Sequence, residues 1–327
     1  MSDRVQIYSR ANQKLAEVIA SPVRSWHATR TGRAIVELPH GALPDHALSV
    51  GTRWSIINPD VPPWVGVMTI PLISDGSIYR ITLMSAEWVL EGRYTTWSTE
   101  LTGTGGEIVQ SLLDLANAQE PTGITAGTIN VAGQSITRSY RNYSVSDAMR
   151  ELASDLDNAW WISSGVTSGN LALLLNYSDR RGGILSERYI ENHNLAVSSA
   201  GLEGDIANSI TAVGMSGGEG EEPPTYTAVD EISRGRYGLI QDVVIAPDME
   251  DESSLQGLAA SHVSRRAHPR LVVQAVVTQP PYPRVADILS VWLNSRGLLD
   301  GRHTMRVQEC SFDPRENLMA MTLREVT

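Results

Sequence analysis

The same order of short apolar strands occurs near both ends of this chain, and this recurrence limits the fold more than any single motif. The first segment reads RAIVELP from Arg33, then ALSVGTRWSII, WVGVMTIPLI and IYRITLMSAEWV. The second reads RLVVQAVV from Arg270, then VADILSVWL, HTMRVQECSF and LMAMTLREV. Trp54 and Trp292 follow these arginines by 21 and 22 residues. One β-unit present twice would explain the pattern, and chance recurrence of a meander is the alternative.

The alternation inside these segments predicts antiparallel sheets. In IYRITLM, Tyr79, Ile81 and Leu83 would face one side of a strand. The turn SDGS, residues 74–77, stands where a hairpin needs positive φ. Each run is short and bounded by Gly, Pro, Asp or Asn, as is typical of strands in a meander.

The middle of the chain has a different character. In TGTGGEIVQSLLDLANAQ, Thr104 and Glu107 form a possible capping box, and apolar residues follow at helical spacing. A second helix is predicted over SVSDAMRELASDLD, followed by strands at AWWIS and NLALLLNY. Residues 97–198 are therefore predicted to form a separate α+β unit inserted into a β framework.

The predicted fold class is mainly β, with two antiparallel β domains and a smaller inserted α+β domain. The first β domain would comprise 1–96 with 199–232, the insertion 97–198, and the second β domain 233–327. A further helix is predicted over DESSLQGLAASHVSRRA, residues 251–267. Deleting 97–198 is expected to leave a soluble β-protein.

Composition narrows the possible functions. A chain of 327 residues can bury two or three cores. The net charge of −11 argues against stable binding to phosphate backbones, because like charges repel. Cys310 is the only cysteine, which excludes an intrachain disulfide and a thiolate metal cluster. No apolar run approaches the roughly 20 residues that span a bilayer, and the N-terminus lacks a signal-peptide core, so synthesis in the cytoplasm is expected.

The residues that usually carry catalysis form no recognisable constellation, so no catalytic, metal-binding or cofactor-binding residues are predicted. The seven histidines are scattered, and His262 and His268 do not share a helix face. Asp155 and Asp157 could resemble a glycosidase acid pair, but residues two apart on a helix point in different directions. The serines lack a GxSxG elbow, and TGTGGE lacks the lysine of a phosphate loop.

Two surface segments are candidates for contacts. A proline-braced tryptophan could lie at an interface between subunits or pack against its own sheet. An acidic Gly/Pro-rich segment could be a solvated loop or add negative charge to a channel wall. The candidate interface residues are Pro62, Pro63 and Trp64, and the candidate channel-facing residues are Glu219, Glu221 and Glu222.

Several motifs in order carry a resemblance to a known family. They are PPWVGVMTI before the hairpin, VLEGRYTT leading into TGTGGEIVQSLLDLAN, DNAWWISSG before NLALLLNY, and ANSITAVG followed by EISRGRYGLIQ. In order and spacing, over nearly the whole chain, the sequence resembles the baseplate-hub proteins of bacteriophage tails. This group includes the N-terminal region of tail-associated proteins in long non-contractile tails.

The resemblance implies a structural protein of the virion tail tip that is not an enzyme. In such hubs one chain carries two domains like the tail-tube subunit, and a homotrimer forms a pseudo-sixfold ring that lines or closes the DNA channel. Its implied partners are the distal tail protein or tail tube protein, the tape-measure protein and a central fibre or spike, with DNA present only in transit. Because no fibre or wall-degrading domain follows the second unit, host recognition is expected from other proteins.

A different class of function stays open at this point. Eight tryptophans and scattered carboxylates also suit a carbohydrate-binding or glycan-degrading β-protein. Such a protein would show a cleft with converging acids or metal ligands, or it would bind glycan as a monomer or dimer. A hub would assemble into trimers or rings and hydrolyse nothing.

Overall fold

Strands build most of this protein, with short helices at their periphery, as predicted. The computed structural model describes residues 3–28, 30–69, 73–156, 158–167, 169–178, 182–214, 222–246 and 252–326. Within these ranges no helix is long and apolar enough to cross a membrane.

The first sheet takes in the N-terminal quarter of the chain. Its strands are β1 (Asp3–Tyr8), β2 (Lys14–Ala20), β3 (Val23–His27), β4 (Arg33–Pro39), β5 (Arg53–Asn58), β6 (Val61–Met68), β7 (Ile73–Asp75) and β8 (Ile78–Ser85). Their order across the sheet is β3-β4-β8-β6-β5-β1-β2, and β7 continues the line of β6 beside β8. Alternate residues such as Val36, Trp54, Ile81 and Leu83 point into one apolar core.

The second sheet combines the C-terminal strands with two strands from the middle of the chain. Its members are β14 (Ile184–Ile190), β15 (Leu195–Glu203), β19 (Arg270–Val277), β20 (Ile288–Leu293), β21 (Gly301–Asp313) and β22 (Leu318–Glu325). The order is β15-β19-β22-β21-β20-β14, antiparallel except for the parallel pair β14 and β20. Buried residues including Val273, Val291, Phe312 and Leu323 form its core.

Both sheets contain the same four-strand arrangement. The order β4-β8-β6-β5 in the first sheet matches β19-β22-β21-β20 in the second, with the same chain order and antiparallel pairing. The recurrence seen in the sequence is therefore a recurrence of topology. The two tryptophans that accompanied it do not correspond. Trp54 is fully buried and lies opposite Gly66. Trp292 is 40% exposed and lies opposite Arg302, about three positions further along its strand than the residue equivalent to Trp54, and so on the other face of the sheet.

An α+β region follows β8. Its elements are α1 (Trp88–Glu91), β9 (Thr99–Gly103), α2 (Gly105–Gln119), β10 (Ile124–Ile129), β11 (Ile136–Tyr140), α3 (Val145–Asp155), β12 (Ala159–Thr167) and β13 (Asn170–Ser178). The predicted capping box is confirmed. The Thr104 side chain accepts from the Glu107 N–H, and the Glu107 carboxylate accepts from the Thr104 N–H at 2.7 Å. The core of this region also takes in Tyr8 and Val65 of the first sheet.

A second small unit separates β15 from β19. It consists of β16 (Ser209–Val213), β17 (Thr225–Val229), α4 (Glu231–Tyr237), β18 (Gln241–Ile245) and α5 (Glu252–Arg266). The three strands pair in the order β17-β16-β18, and α5 covers one face through Leu255, Leu258 and Ala259. This helix agrees with its prediction to within one residue at each end.

The sheets divide the chain differently from the predicted segments. The predicted boundaries at 198/199 and 232/233 fall inside β15 and α4. Strand β14, assigned to the insertion, and β15 both pair with the second sheet. The sequence could not show this because these pairings join residues about 65 to 105 positions apart. Two peripheral units therefore accompany the two sheets.

Candidate functional site: the junction of the two sheets

Strand β3 joins the two sheets into one. On one side it pairs with β4, and on the other with β21 of the second sheet. The pairs across the junction are Arg24 with Phe312, Ser25 with Ser311, Trp26 with Cys310, and His27 with Glu309. A backbone hydrogen bond of 2.8 Å from the Ala28 N–H to the Gln308 carbonyl extends this ladder. Hydrogen bonding therefore continues from one sheet to the next without a break.

A buried ion pair stands at one end of the junction. The Arg24 guanidinium donates to the Asp3 carboxylate, and both side chains are fully buried. Asn58 donates to the other Asp3 oxygen at 2.6 Å. The guanidinium also lies over the rings of Trp26 and Phe312, at 5.5 and 5.2 Å from their centroids. Burial lowers the pKa of Arg24, and the Asp3 carboxylate opposes that shift. This geometry ties β1, β3 and β21 together.

Charged side chains also meet at the opposite end of the junction. Arg30 donates from Nε to His27 Nδ1 and from Nη2 to Glu309 Oε2, both at 3.0 Å. Burial lowers the pKa of His27, although Glu309 opposes the effect, so the imidazole is neutral at pH 7. This cluster links the two sheets through polar contacts.

Trp64 packs within its own chain. Its ring is 1% exposed, and its Nε1 donates to the Ser25 carbonyl of β3 at 3.1 Å. The ring lies across Gly66, where an added Cβ would come within 2.1 Å of it. Of the two interpretations of Trp64, packing against its own sheet describes the side chain, which the fold already covers, and an intersubunit contact at this position stays a prediction. Pro62 is half-buried and Pro63 is exposed, so only the prolines stay available for a contact.

A cavity of about 400 Å³ lies beside the junction. Its walls include Trp26, Trp64 and Trp161, together with the carboxylates Glu87 and Asp287. Asp287 accepts backbone hydrogen bonds from Gly183 at 2.8 Å and Arg284 at 2.7 Å, and Glu87 accepts from Ile162 at 3.4 Å. Both carboxylates therefore help to hold neighbouring backbone segments in place.

The other residues considered for chemistry are also engaged in structure. Asp155 forms an ion pair with Arg138 at 2.9 Å; burial raises its pKa and Arg138 lowers it. Asp157 lies outside the described residues. In the part of the chain that the structure describes, no three His, Cys, Asp or Glu residues are grouped as a metal site would need. Of the acidic segment, Glu219 and Glu221 lie outside the described residues, and Glu222 is exposed.

Sequence reasoning missed the residues that matter most at the junction. Arg24 and Trp26 lie in a five-residue strand, and their alternation gives no sign of the partner strand some 285 residues away. Asp3 carries no sequence signal either, because its partner is not at helical or hairpin spacing. A buried arginine pair becomes visible only when the sheet is assembled.

In the part of the chain that the structure describes, two sheets of similar topology joined edge to edge define a duplicated β-sheet protein, and the residues at the junction make structural contacts. The solved structures that this chain resembles include phage tail proteins. The crystal structure of prophage tail protein gp18 from Listeria monocytogenes matches with a TM-score of 0.61 at 12% identity, covering 98% of this chain and 94% of that chain. The 43 kDa tail protein of prophage MuSo2 from Shewanella oneidensis matches with a TM-score of 0.61 at 12% identity, covering 98% of each chain.

A neighbour from a secretion system has the same fold. The Escherichia coli c3393 protein, a component of the type VI secretion system with structural similarity to T4 bacteriophage tail proteins, matches with a TM-score of 0.55 at 8% identity. The match covers 94% of this chain and 74% of that chain. No family model and no curated protein sequence matches. At these identities the likeness shows the fold, and the chain has the fold of phage tail proteins, as the resemblance implied.

Proposed function

We propose that this chain is a structural hub protein of a phage tail tip, or of a related prophage-derived particle. The observation that carries the proposal is the internal junction, in which one chain joins two sheets of the same topology edge to edge. Three copies would then present six similar sheets, and a homotrimer could match a sixfold tail tube. The tail-protein neighbours, matched over nearly their whole length, support the assignment.

The role follows from a ring with a central opening. One face would bind the distal tail protein or the tail tube protein, and the other a central fibre or spike. The tape-measure protein would end in the opening, and DNA would pass only in transit. The net charge of −11 per chain would keep the DNA polyanion from adhering to the wall. The acidic segment of Glu219, Glu221 and Glu222 is proposed to face this channel.

Particle mass and shape test the proposal. Light scattering after size exclusion should give the mass of three chains, and negative-stain images should show rings with a central hole and six lobes. The same preparation should neither bind a panel of glycans nor release sugars from cell walls. A stable monomer or dimer that binds glycan would overturn the hub assignment in favour of the carbohydrate-binding alternative.

A further inference from the structure

Four strands of one sheet can be matched with four strands of the other by their pairing. Arg53 and Ile288 begin β5 and β20 and lie opposite Val67 and Arg306, which in turn lie opposite Met84 and Arg324. Buried Leu83 in β8 and Leu323 in β22 are therefore equivalent, and they lie opposite Ala34 and Val273. Counting from these positions, β3 and β15 are equivalent strands. Arg24 pairs with Ala34, as Ala200 pairs with Val273.

By the same counting, β7 corresponds to residues 311–313 at the end of β21. Ile73 lies opposite Arg80, and Ser311 lies opposite Ala320 at the equivalent position of β22. In β21, the side away from β22 is shared by β20 along residues 301–306 and by β3 along residues 309–312. In the first sheet, β5 takes the corresponding place beside β6, and no strand among the described residues takes the place beside β7.

Two complementary strand edges are therefore open in a single chain. Residues 199–203 of β15 pair with β19 on one side and with no described strand on the other. Ile73 on β7 is 57% exposed, and Leu202 on β15 is 60% exposed. Leu202 occupies the position that Trp26 holds in the internal junction, where the tryptophan packs against both sheet cores. Exposed edges with apolar side chains favour pairing with another chain.

We propose that the open edge of β15 in one copy pairs antiparallel with β7 of the next copy, with Gly201 opposite Ile73. The contact between copies would then repeat the Ser25–Ser311 register of the internal junction, and Leu202 would be covered as Trp26 is. Such a head-to-tail contact leaves one open edge of each kind at the two ends of a chain of copies, so a closed ring satisfies all of them. This inference rests on the proposed ring and names the surfaces that form it.

The strongest competing arrangement pairs β15 with β2, because these two strands end the continuous sheet. Ile19 on β2 is 63% exposed and would lie at that contact. The internal junction favours β7. There β3 pairs with β21, and the strands of the first sheet that correspond to β21 are β6 and β7. Disulfide cross-linking separates the two arrangements.

The test uses the full chain with two engineered cysteines. Gly201 tolerates the change, since an added Cβ meets no atom within 4 Å and its φ is not positive. The variant Ile73→Cys/Gly201→Cys should give covalent oligomers, mainly trimer, on mild oxidation. The matched control Ile19→Cys/Gly201→Cys has the same number of cysteines and should stay uncross-linked. Native Cys310 is buried and common to both.

Single-cysteine variants test whether the contact joins two different strands, β15 of one copy and β7 of the next, as a head-to-tail contact requires. Ile73→Cys and Gly201→Cys should each stay uncross-linked alone and should give covalent dimer when mixed after dissociation and reassembly. Cross-linking of Gly201→Cys with itself would overturn the proposal in favour of a symmetric β15–β15 contact. Equal circular dichroism spectra check that the variants fold.

Particle mass without oxidation keeps the inference separate from the proposed function. If oligomers form but the Ile73–Gly201 pair does not cross-link, or the Ile19 control cross-links instead, the proposed contact between β15 and β7 is wrong. The proposed ring is then unaffected. Linked particles of another copy number support the contact and overturn the trimer. A monomer at every concentration overturns both. Leu202→Arg should reduce the oligomer and leave the unfolding midpoint of the monomer unchanged.

Discussion

At the scale of single residues, the buried ion pair at the sheet junction restricts how the strands align, which apolar packing alone would not do. Arg24 and Asp3 are both withdrawn from water, and moving an unpaired ion into such a site is unfavourable by several kcal/mol. Their mutual contact, with Asn58 as a further donor, offsets that penalty only when β1 and β3 hold one position relative to each other. An apolar pair would tolerate a shift of the strands. The ion pair therefore favours a single alignment where the two sheets meet.

Removing one member of this pair should be worse than removing both. Arg24→Met leaves the Asp3 carboxylate buried without a cation, and we expect a loss of about 3–5 kcal/mol in unfolding free energy. The double variant Asp3→Asn/Arg24→Met should recover part of that loss. Urea unfolding of both single variants and the double variant measures the coupling. A double variant as unstable as the sum of the singles would mean that the ion pair contributes no specific energy.

Glu191 should make stability depend on pH. It is 2% exposed and accepts hydrogen bonds from the Asn294 and Ser295 amides at 2.9 and 3.1 Å and from Arg296 Nε at 2.7 Å. Burial raises the pKa of this carboxyl, but the hydrogen bonds outweigh it and hold the pKa below the usual 4.5. The ionised group therefore contributes stability that is present above pH 4.5 and lost as the pH falls through the folded pKa.

The matching variant is Glu191→Gln, which cannot accept from all three donors. It should lower the unfolding free energy by about 1–3 kcal/mol at pH 7. The difference from the native chain should narrow at a second pH below the folded pKa, where protonated Glu191 resembles glutamine. The control Glu187→Gln, at an exposed position of β14 just before Glu191, should show no such narrowing. Urea unfolding at the two pH values measures the difference in unfolding free energy between the variant and the native chain. A difference that does not change with pH would contradict the argument.

At the scale of elements, local patterns predicted what local physics determines. Alternation identified β4 and β8, and the Thr104–Glu107 pair identified the start of α2, because strand faces and helix caps depend on near neighbours. The course of β14 and β15 escaped prediction, since their partners lie far away in the chain. For Trp64 the sequence left two interpretations open, packing against its own sheet and an intersubunit contact. Nothing in PPW decides between them, because the ring turns inward across Gly66 of the same strand.

The cap of α2 offers a direct check at this scale. Thr104→Ala removes the acceptor for the Glu107 N–H, and we expect a loss of about 1 kcal/mol in unfolding free energy. Thr102→Ala is the matched control, because that exposed hydroxyl forms a hydrogen bond of 2.9 Å with the Thr137 hydroxyl on the neighbouring strand and caps no helix. Thermal unfolding of the two variants gives the comparison. Equal losses would show that the capping box adds nothing.

At the scale of the whole molecule, the peripheral α+β region should be separable from the sheets. Replacing 87–181 by a short Gly/Ser linker removes this region and keeps β14 and β15 with the second sheet. The ends are compatible with a short linker, since Ser85 and Gly182 line the same cavity. We expect this variant to retain its strand signal in circular dichroism and to unfold cooperatively. It should be less stable than the native chain, because Tyr8 and Val65 lose the side chains that cover them.

The comparison is deletion of 97–198, the segment suggested by sequence alone. That deletion removes β14 and half of β15, so it should leave β19 and β20 with open edges and give an unfolded or aggregated chain. Expression, size exclusion and circular dichroism distinguish the two. If the two deletion variants behave alike, the pairing of β14 and β15 with the second sheet does not determine where the α+β region ends.

Net charge should oppose assembly of the complete ring and make it depend on salt in an unusual direction. Each copy carries −11, and the proposed contact between copies consists of backbone hydrogen bonds and apolar side chains that salt barely affects. Repulsion between copies acts over longer distances and is screened as the Debye length falls from about 10 Å at 0.1 M salt to about 3 Å at 1 M. Assembly should therefore strengthen as sodium chloride rises from 0.05 to 0.5 M. Analytical ultracentrifugation measures the dissociation constant across this range. An assembly that weakens with salt would show that ion pairs between copies hold the ring, and that the open strand edges do not.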